Sequence, residues 1–538
     1  RCLAVTFTRR ARDELRERLA VLGGEAAEKV TVATFHGLGL LILREQCKRL
    51  GLDAGLKVAD EPTRRAVLRQ LTGGSGLSAL ATKISSAKRA LATAGSSASP
   101  PETDMETAAL LAAYDARLRE RGLVDVDDLI SLTVLLLSGD AALAGSYQSR
   151  WSDVYVDEYQ DVDELQYRLL RLLAAPSSRV CAIGDPDQAI YGFRGGDVGY
   201  FLRFASDYPS AGRVELSRNY RSAPSIVKAA LQVIRPGTLV PGRSLVPART
   251  DIADSPVVLQ ACADDRSEAE AVAEAIERML GGTTLLTTDG RETIEHELSF
   301  ADFAVLYRTS AQASAVADAL GRRGFPCQRR AHSRLAEMPG VPEILAALRA
   351  PVLDAEPVPV AGQVAAAVES ALTGSEDTGV RVSIKAAADV LGPLAERCGT
   401  DLDRFLDELS LGAEIDTWDP RADRVTLLTL HASKGLEFPV VFIVGCDDGL
   451  LPLRAWQGGE TDYAEERRLL FVGMTRATAK LTLLTAARRT IYGETRDCAP
   501  SPFLASVDPA LLDRRGGTAR PSKRAKRRDD PDQQFTLF

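Results

Sequence analysis

The run Asp157-Glu158-Tyr159-Gln160-Asp161 follows directly on the apolar segment Asp153 to Val156. Adjacent carboxylates at the end of a buried strand suit a divalent cation and a water: Asp157 would hold Mg²⁺, and Glu158 would orient or deprotonate the attacking water. An isolated Asp-Glu pair is more often a solvated acidic loop, so the neighbouring segment decides the reading. The next apolar run, Val180 to Ile183, leads into Gly184-Asp185-Pro186-Asp187-Gln188-Ala189-Ile190-Tyr191-Gly192-Phe193-Arg194-Gly195. Gln188 could touch a terminal phosphate, and a few residues on Tyr191, Phe193 and Arg194 could stack on bases. One loop would then meet two ligands. For either ring alone the alternative is core packing; the surrounding glycines favour an exposed, backbone-dense loop.

Such residues need rigid elements beneath them. Up to about Ser217, short apolar runs alternate with helical patterns: Leu3 to Phe7, Val30 to Val32, Val154 to Val156 and Val180 to Ile183. That alternation predicts an α/β domain whose parallel sheet is covered on both faces. It gives way to helical patterning from about Glu45 to Gly122, broken by the linker-like Gly95 to Pro101. From Val214 it resumes, with further strands at Phe303 to Tyr307, Val425 to Leu428, Val440 to Val444 and Leu481 to Leu484. A second helical interruption lies between about Ala336 and Arg424 and includes Leu402 to Leu411 and the Pro-rich Pro351 to Pro359. The plan is two parallel-sheet domains, each carrying an inserted helical piece. At 538 residues the chain is long enough for them, since about 150 residues make one domain.

The motifs together resemble the UvrD, PcrA and Rep branch of superfamily 1 DNA helicases. Leu3 to Thr8, followed by Ala11, Leu15, Leu19 and Leu22 at helical spacing, resembles that family's motif Ia; Thr8 is an N-cap candidate, and a helix N-terminus attracts backbone phosphate. Thr34-Phe35-His36 resembles motif Ib, which implies that Phe35 stacks on a base and that Thr34 and His36 lie near DNA. Asp125-Val126-Asp127-Asp128-Leu129 resembles the short acidic motif before the metal strand, with a structural role. Leu216 to Ser222 resembles motif IV, implying that Tyr220 stacks on adenine and Arg221 reaches the γ-phosphate. Thr429 to Phe438 resembles motif V and Glu466 to Ala477 motif VI. By resemblance Thr429 and His431 meet DNA, Glu437 meets the nucleotide sugar, Lys434, Gly435 and Asp185 belong to the nucleotide site, and Arg476 reaches the γ-phosphate. Phe300 to Arg308, Gly324 to Pro326 and Arg489 to Gly493 also resemble the family, so the likeness runs from Leu3 to about Leu504.

The resemblance implies two RecA-like (P-loop NTPase) domains using ATP and Mg²⁺. The first comprises residues 1–44 and 123–215 with an insertion at 45–122, and the second 216–335 and 425–508 with a reduced insertion at 336–424. It also implies an ATP-dependent DNA helicase moving 3′ to 5′ on single-stranded DNA and unwinding duplexes at junctions, in repair or replication.

Three features depart from the family. The Gly-x-x-x-x-Gly-Lys-Ser/Thr phosphate loop is missing, and no Gly-Lys pair occurs anywhere in the sequence. Because the chain starts at Arg1, inside a domain, the expectation is a truncated form of an intact helicase, itself deficient in ATP hydrolysis. The second insertion is short, which leaves its part in duplex contact and self-inhibition open. Finally, a disordered basic tail is expected over 509–538; it ends in Gln533-Gln534-Phe535-Thr536-Leu537-Phe538, and Gln534, Leu537 and Phe538 resemble peptides that dock on bacterial DNA sliding clamps.

A net charge of -8 confines any nucleic-acid site to a local groove. Eight scattered cysteines without a Cys-x-x-Cys pair argue against zinc, iron–sulfur and disulfide frameworks and fit a reducing cytoplasm, which the resemblance implies is bacterial. The alternative from another class is a non-catalytic DNA-binding or clamp-associated scaffold. A helicase–nuclease motor is a third reading, weakened because no nuclease domain follows motif VI.

Overall fold

A computed structural model of the chain describes residues 1–52, 55–94, 105–175, 177–249, 251–281, 298–330, 335–348, 358–412, 422–454, 461–491 and 494–516. Four strands, β1 (Cys2–Thr6), β2 (Val30–Thr34), β3 (Asp153–Val156) and β4 (Arg179–Ala182), form a parallel sheet in the order β2-β1-β3-β4. Leu3, Val5, Val154 and Val156, which alternate onto one face, are buried against helices, whereas Tyr155 on the opposite face of β3 is 44% exposed and Cys181 on β4 is exposed, so the expected cover on both faces is incomplete at this edge. The covering helices include α1 (Arg9–Gly23), α2 (Phe35–Glu45), α6 (Asp128–Gly139) and α8 (Glu164–Leu173). Leu38, Ile42, Val134, Leu137, Leu169 and Leu173 from three of them fill the core around Trp151.

Between β2 and β3 lies the helical insertion: α3 (Glu61–Thr72), α4 (Leu77–Ala94) and α5 (Met105–Arg119), closed at its base by the parallel pair Lys57–Val58 and Leu123–Val124. The acidic run there is structural, as expected. Lys88, buried on α4, bonds Asp128 at 2.6 Å, Asp115 at 2.9 Å and Asp125 at 3.0 Å, fastening the insertion to the sheet domain.

The second sheet has seven parallel strands: β5 (Val257–Cys262), β6 (Phe303–Tyr307), β7 (Cys327–Arg330), β8 (Val425–Thr429), β9 (Phe438–Ile443), β10 (Ala477–Ala486) and β11 (Leu512–Arg515). Their order is β7-β8-β6-β9-β10-β5-β11. Helices α9 (Pro224–Ile234) and α16 (Tyr463–Met474) pack on one face, α10 (Asp265–Met279) and α11 (Gln312–Arg322) on the other. The second insertion is helical: α12 (Val341–Leu348), α13 (Val360–Thr373), α14 (Thr378–Cys398) and α15 (Leu402–Leu411), with its own core around Val364, Ile384, Leu391 and Phe405.

Two expectations are corrected. The alternation beginning at Val214 makes no strand there: residues 211–217 are irregular, and Val214 and Leu216 are each 85% exposed. Pairing begins only at its end, where the Val246 N–H donates to the Ser217 carbonyl at 2.8 Å and Arg218–Asn219 pairs with Val246–Pro247. The outer edge of β4 is unpaired among the described residues, with Ile183 49% exposed. The second domain also extends past 508, because β11 pairs with β5. Arg514 and Arg515, counted with the basic tail, therefore stand in a strand. Gln534, Leu537 and Phe538 lie outside the described residues, as do the Gly95 to Pro101 linker, Tyr492, Gly493 and most of Pro351 to Pro359. Among the described residues no single helix is long and apolar enough to cross a membrane.

Candidate functional site

Strand β3 delivers Asp157 and Glu158 to the carboxyl end of the first sheet. The Asp157 N–H donates to the Val5 carbonyl at 3.0 Å, and its carboxylate accepts the Glu158 N–H at 3.0 Å. Glu158 stands at φ 51°, the one non-glycine residue at positive φ among the described residues. That conformation costs about 1–3 kcal/mol and turns the Glu158 side chain away from the strand direction. Burial pushes the Asp157 carboxyl above its ordinary value and Glu158 adds to the shift. A cation would reverse that, and Mg²⁺, which takes one or two carboxylates and keeps several waters, fits this donor set.

The loop after β4 is clasped to this corner. The Gln160 Oε1 accepts the Asp185 N–H at 3.1 Å, and a Cβ on Gly184 would lie 2.1 Å from that same oxygen, so a side chain at 184 would break the clasp. Gln188 donates its side-chain amide to Asp185 at 3.0 Å. The rest of the loop is gripped by the second domain. Lys434 Nζ donates to the Gln188 carbonyl at 2.7 Å and to the buried Asp161 carboxylate, with Glu158 at 3.5 Å. Arg468 donates to the Ala189 carbonyl at 2.8 Å. Gly435, at φ 79°, turns the chain directly after Lys434.

Arg221 and Glu437 of the second domain are partly exposed, and Arg476 lies buried in the same domain. Arg221 Nε donates to Glu437 at 2.7 Å, so the expected phosphate and sugar contacts hold one another. Arg476 is buried, donating to the Val472 and Leu436 carbonyls at 2.9 and 3.1 Å. Burial lowers its guanidinium to about 10; nearby Arg221 acts the same way, while Glu158, Glu437 and Asp185 oppose it. Charges from both domains thus act on the Arg476 guanidinium. Tyr220 is 67% exposed, its ring lying 6.0 Å from the Arg218 guanidinium.

Beyond the loop, rings from the two domains meet. Phe193, 64% exposed, stands edge-on to His431 at 5.2 Å, and Arg194 lies over both Phe193 and Tyr191. The Tyr191 hydroxyl donates to the His431 carbonyl at 3.2 Å. Thr8 and Thr34 cap α1 and α2 by accepting the Ala11 and Gly37 N–H groups at 3.2 and 3.1 Å. Thr429 accepts the Ala432 N–H at 3.1 Å. His36 is half-buried beside the α2 cap. Phe35 corrects an expectation: it is 2% exposed and packs edge-on against Phe7 in the first core, where no base can reach its face.

The UvrD/REP helicase N-terminal domain matches residues 1–209, and the UvrD-like helicase C-terminal domain matches 214–354 and 381–488. The chain is 30% identical to the ATP-dependent DNA helicase UvrD1 of Mycobacterium tuberculosis, over 97% of this chain and 80% of that protein. It belongs to the UvrD/PcrA family of helicases. Further relatives are the ATP-dependent DNA helicases PcrA of Leuconostoc citreum, 29% identical over 95% of this chain and 79% of that protein, and of Staphylococcus aureus, 27% identical over 95% and 80%.

In this UvrD-type chain Arg221 meets Glu437 and Lys434 lies near Glu158, all of them residues singled out in the sequence, whereas several ties between the two domains had no such signal. Asp161 was visible only as the end of an acidic run, and Arg243, which pairs with Asp185, lies in a segment with no recognisable motif. Arg468 lies within the segment Glu466 to Ala477, and only its bond to the Ala189 carbonyl reveals its part. The available signal was charge: buried cations need carboxylates, and the loop from Gly184 supplies two.

Proposed function

We propose that this chain is the motor of an ATP-dependent DNA helicase that tracks 3′ to 5′ along single-stranded DNA and opens duplexes at junctions during repair or replication. The observation supporting it is the loop from Asp185 to Arg194: at one end the Gln188 carbonyl is held by Lys434, which also lies 3.5 Å from Glu158, and the other end carries Tyr191 and Phe193 against His431.

In this reading Asp157 holds Mg²⁺, which would neutralise phosphate charge. Glu158, held off the strand direction by its positive φ, orients the attacking water. Arg221 leaves Glu437 for the γ-phosphate, and Glu437 turns to the sugar. Tyr220, already exposed, stacks on the adenine. Arg476 is positioned in advance by two carbonyls, so little reorganisation accompanies charge development. Gln188 meets the terminal phosphate, and its loss on hydrolysis resets the loop. Phe193 and Tyr191 then shift their hold on stacked bases, and backbone phosphates sit at the N-termini of α1 and α2, near Thr8, Thr34 and His36.

These 538 residues contain no Gly-Lys phosphate loop and on this reading do not themselves hydrolyse ATP. Gln534, Leu537 and Phe538 would dock on a DNA sliding clamp, in a bacterial cytoplasm. The test is strand separation by the full-length gene product on 3′-tailed and 5′-tailed duplexes. Unwinding of the 3′-tailed substrate with ATP supports the reading; unwinding of neither contradicts it.

A further inference from the structure

Arg243 lies in the arm that follows α9, outside every motif described above. Its Nη1 and Nη2 donate to the two oxygens of Asp185 at 2.6 and 2.5 Å, and Nη1 also reaches Asp187 at 3.0 Å. The same arm fixes Asp187 from a second direction: the Thr238 hydroxyl and the Leu239 N–H donate to it at 2.6 and 2.7 Å. Behind the guanidinium lies the ring of Phe471 on α16, 5.2 Å away. Both aspartates of the loop are thus held by the second domain, although their backbone continues from the first sheet.

Asp185 passes this grip on. One of its oxygens accepts the Gln188 side-chain amide at 3.0 Å. A planar, two-pronged guanidinium fixes the carboxylate plane, and the carboxylate in turn fixes the Gln188 amide. Burial alone would raise Asp185, yet Arg243 holds it below its ordinary value, so the carboxylate stays charged to accept both donors.

We infer that Arg243 is a positioning residue for Gln188, acting through Asp185, and that it makes the sensor loop move with the second domain when the cleft opens and closes. This rests on the reading of Gln188 as the residue that meets the terminal phosphate.

The test is DNA-stimulated ATP turnover by the full-length gene product. Arg243→Ala is expected to lower kcat about 10²-fold, the scale of a misplaced catalytic group, with KM for ATP little changed. Arg243→Lys, which keeps the charge without the fork, restores part of the rate. The double variant Arg243→Ala/Gln188→Ala is no slower than Gln188→Ala alone, because the two residues act as one unit. Multiplying losses in the double variant, or an unchanged kcat in Arg243→Ala, overturns the inference. Hydrogen exchange on the 538-residue chain gives an independent reading: Arg243→Ala should speed exchange at residues 185–189 while β3 and α16 stay protected. Unchanged exchange at the loop overturns the inference as well. Absence of turnover by the unaltered protein would defeat the motor reading, and the exchange experiment would then decide the role of Arg243.

Discussion

Lys434 of the second domain donates to the carboxylate of Asp161 in the first, and both side chains are buried. Removing one partner strands the other charge, at a cost of about 3–5 kcal/mol, whereas replacing both by apolar groups can be nearly neutral. Lys434→Met is therefore expected to lower the urea midpoint strongly, and Lys434→Met/Asp161→Leu to recover much of the loss. A single variant as stable as the unaltered chain would show that the contact does not join the domains.

Burial raises Asp161 from 3.8 to about 6, against the pull of Lys434. Between those values the folded chain holds a proton that the unfolded chain has released, so this group's contribution to stability is present below about pH 4 and is lost as pH rises to about 6. Most native carboxylates act in the opposite sense. Denaturation of the unaltered chain and of Asp161→Asn across this range checks it: the stability difference between them should change with pH, and a constant difference contradicts the assignment.

Two phenylalanines should separate binding from folding. Phe193→Ala is expected to weaken single-stranded DNA binding by about 1–3 kcal/mol, the worth of one stacked base, with an unchanged melting temperature. Phe35→Ala removes a core ring and should cost about 3–5 kcal/mol of stability. Fluorescence titration with an oligothymidylate and thermal melting of both variants check the pair.

The 538-residue chain should release no phosphate from ATP at a helicase-like rate, with or without single-stranded DNA. A phosphate-release assay decides this, and robust DNA-stimulated turnover would show that another element supplies the missing loop.

In the full-length gene product, Arg476→Lys is expected to lower turnover by about 10³-fold or more while ADP affinity stays close to normal, because the fork, and not the charge alone, serves the reaction. Steady-state turnover and ADP titration check it, and a loss below tenfold would remove Arg476 from the reaction.

Strands were legible because the residues they turn to a core are apolar: Val154 and Val156 announce β3, and Asp157 follows at its end. Helix α15 was legible too, since Phe405 and Leu409 repeat at helical spacing and are the residues that become buried. The strand β11 was not, because Arg514 and Arg515 gave it the composition of a tail while pairing with β5 decided its structure. Phe35 was misread for a similar reason: a ring following a capping threonine fits a base or a core equally well, and only the position of Phe7 resolves it. Partners separated by hundreds of residues, such as Lys434 and Asp161, leave no local pattern at all.

In the proposed motor one loop reports the nucleotide to the DNA. The most direct test is the affinity of the full-length gene product for single-stranded DNA, with and without a non-hydrolysable ATP analogue, in the unaltered protein and in Gln188→Ala. The analogue should change the unaltered protein's Kd by about fivefold or more, and in Gln188→Ala that change should collapse. An equal shift in both proteins would contradict the account.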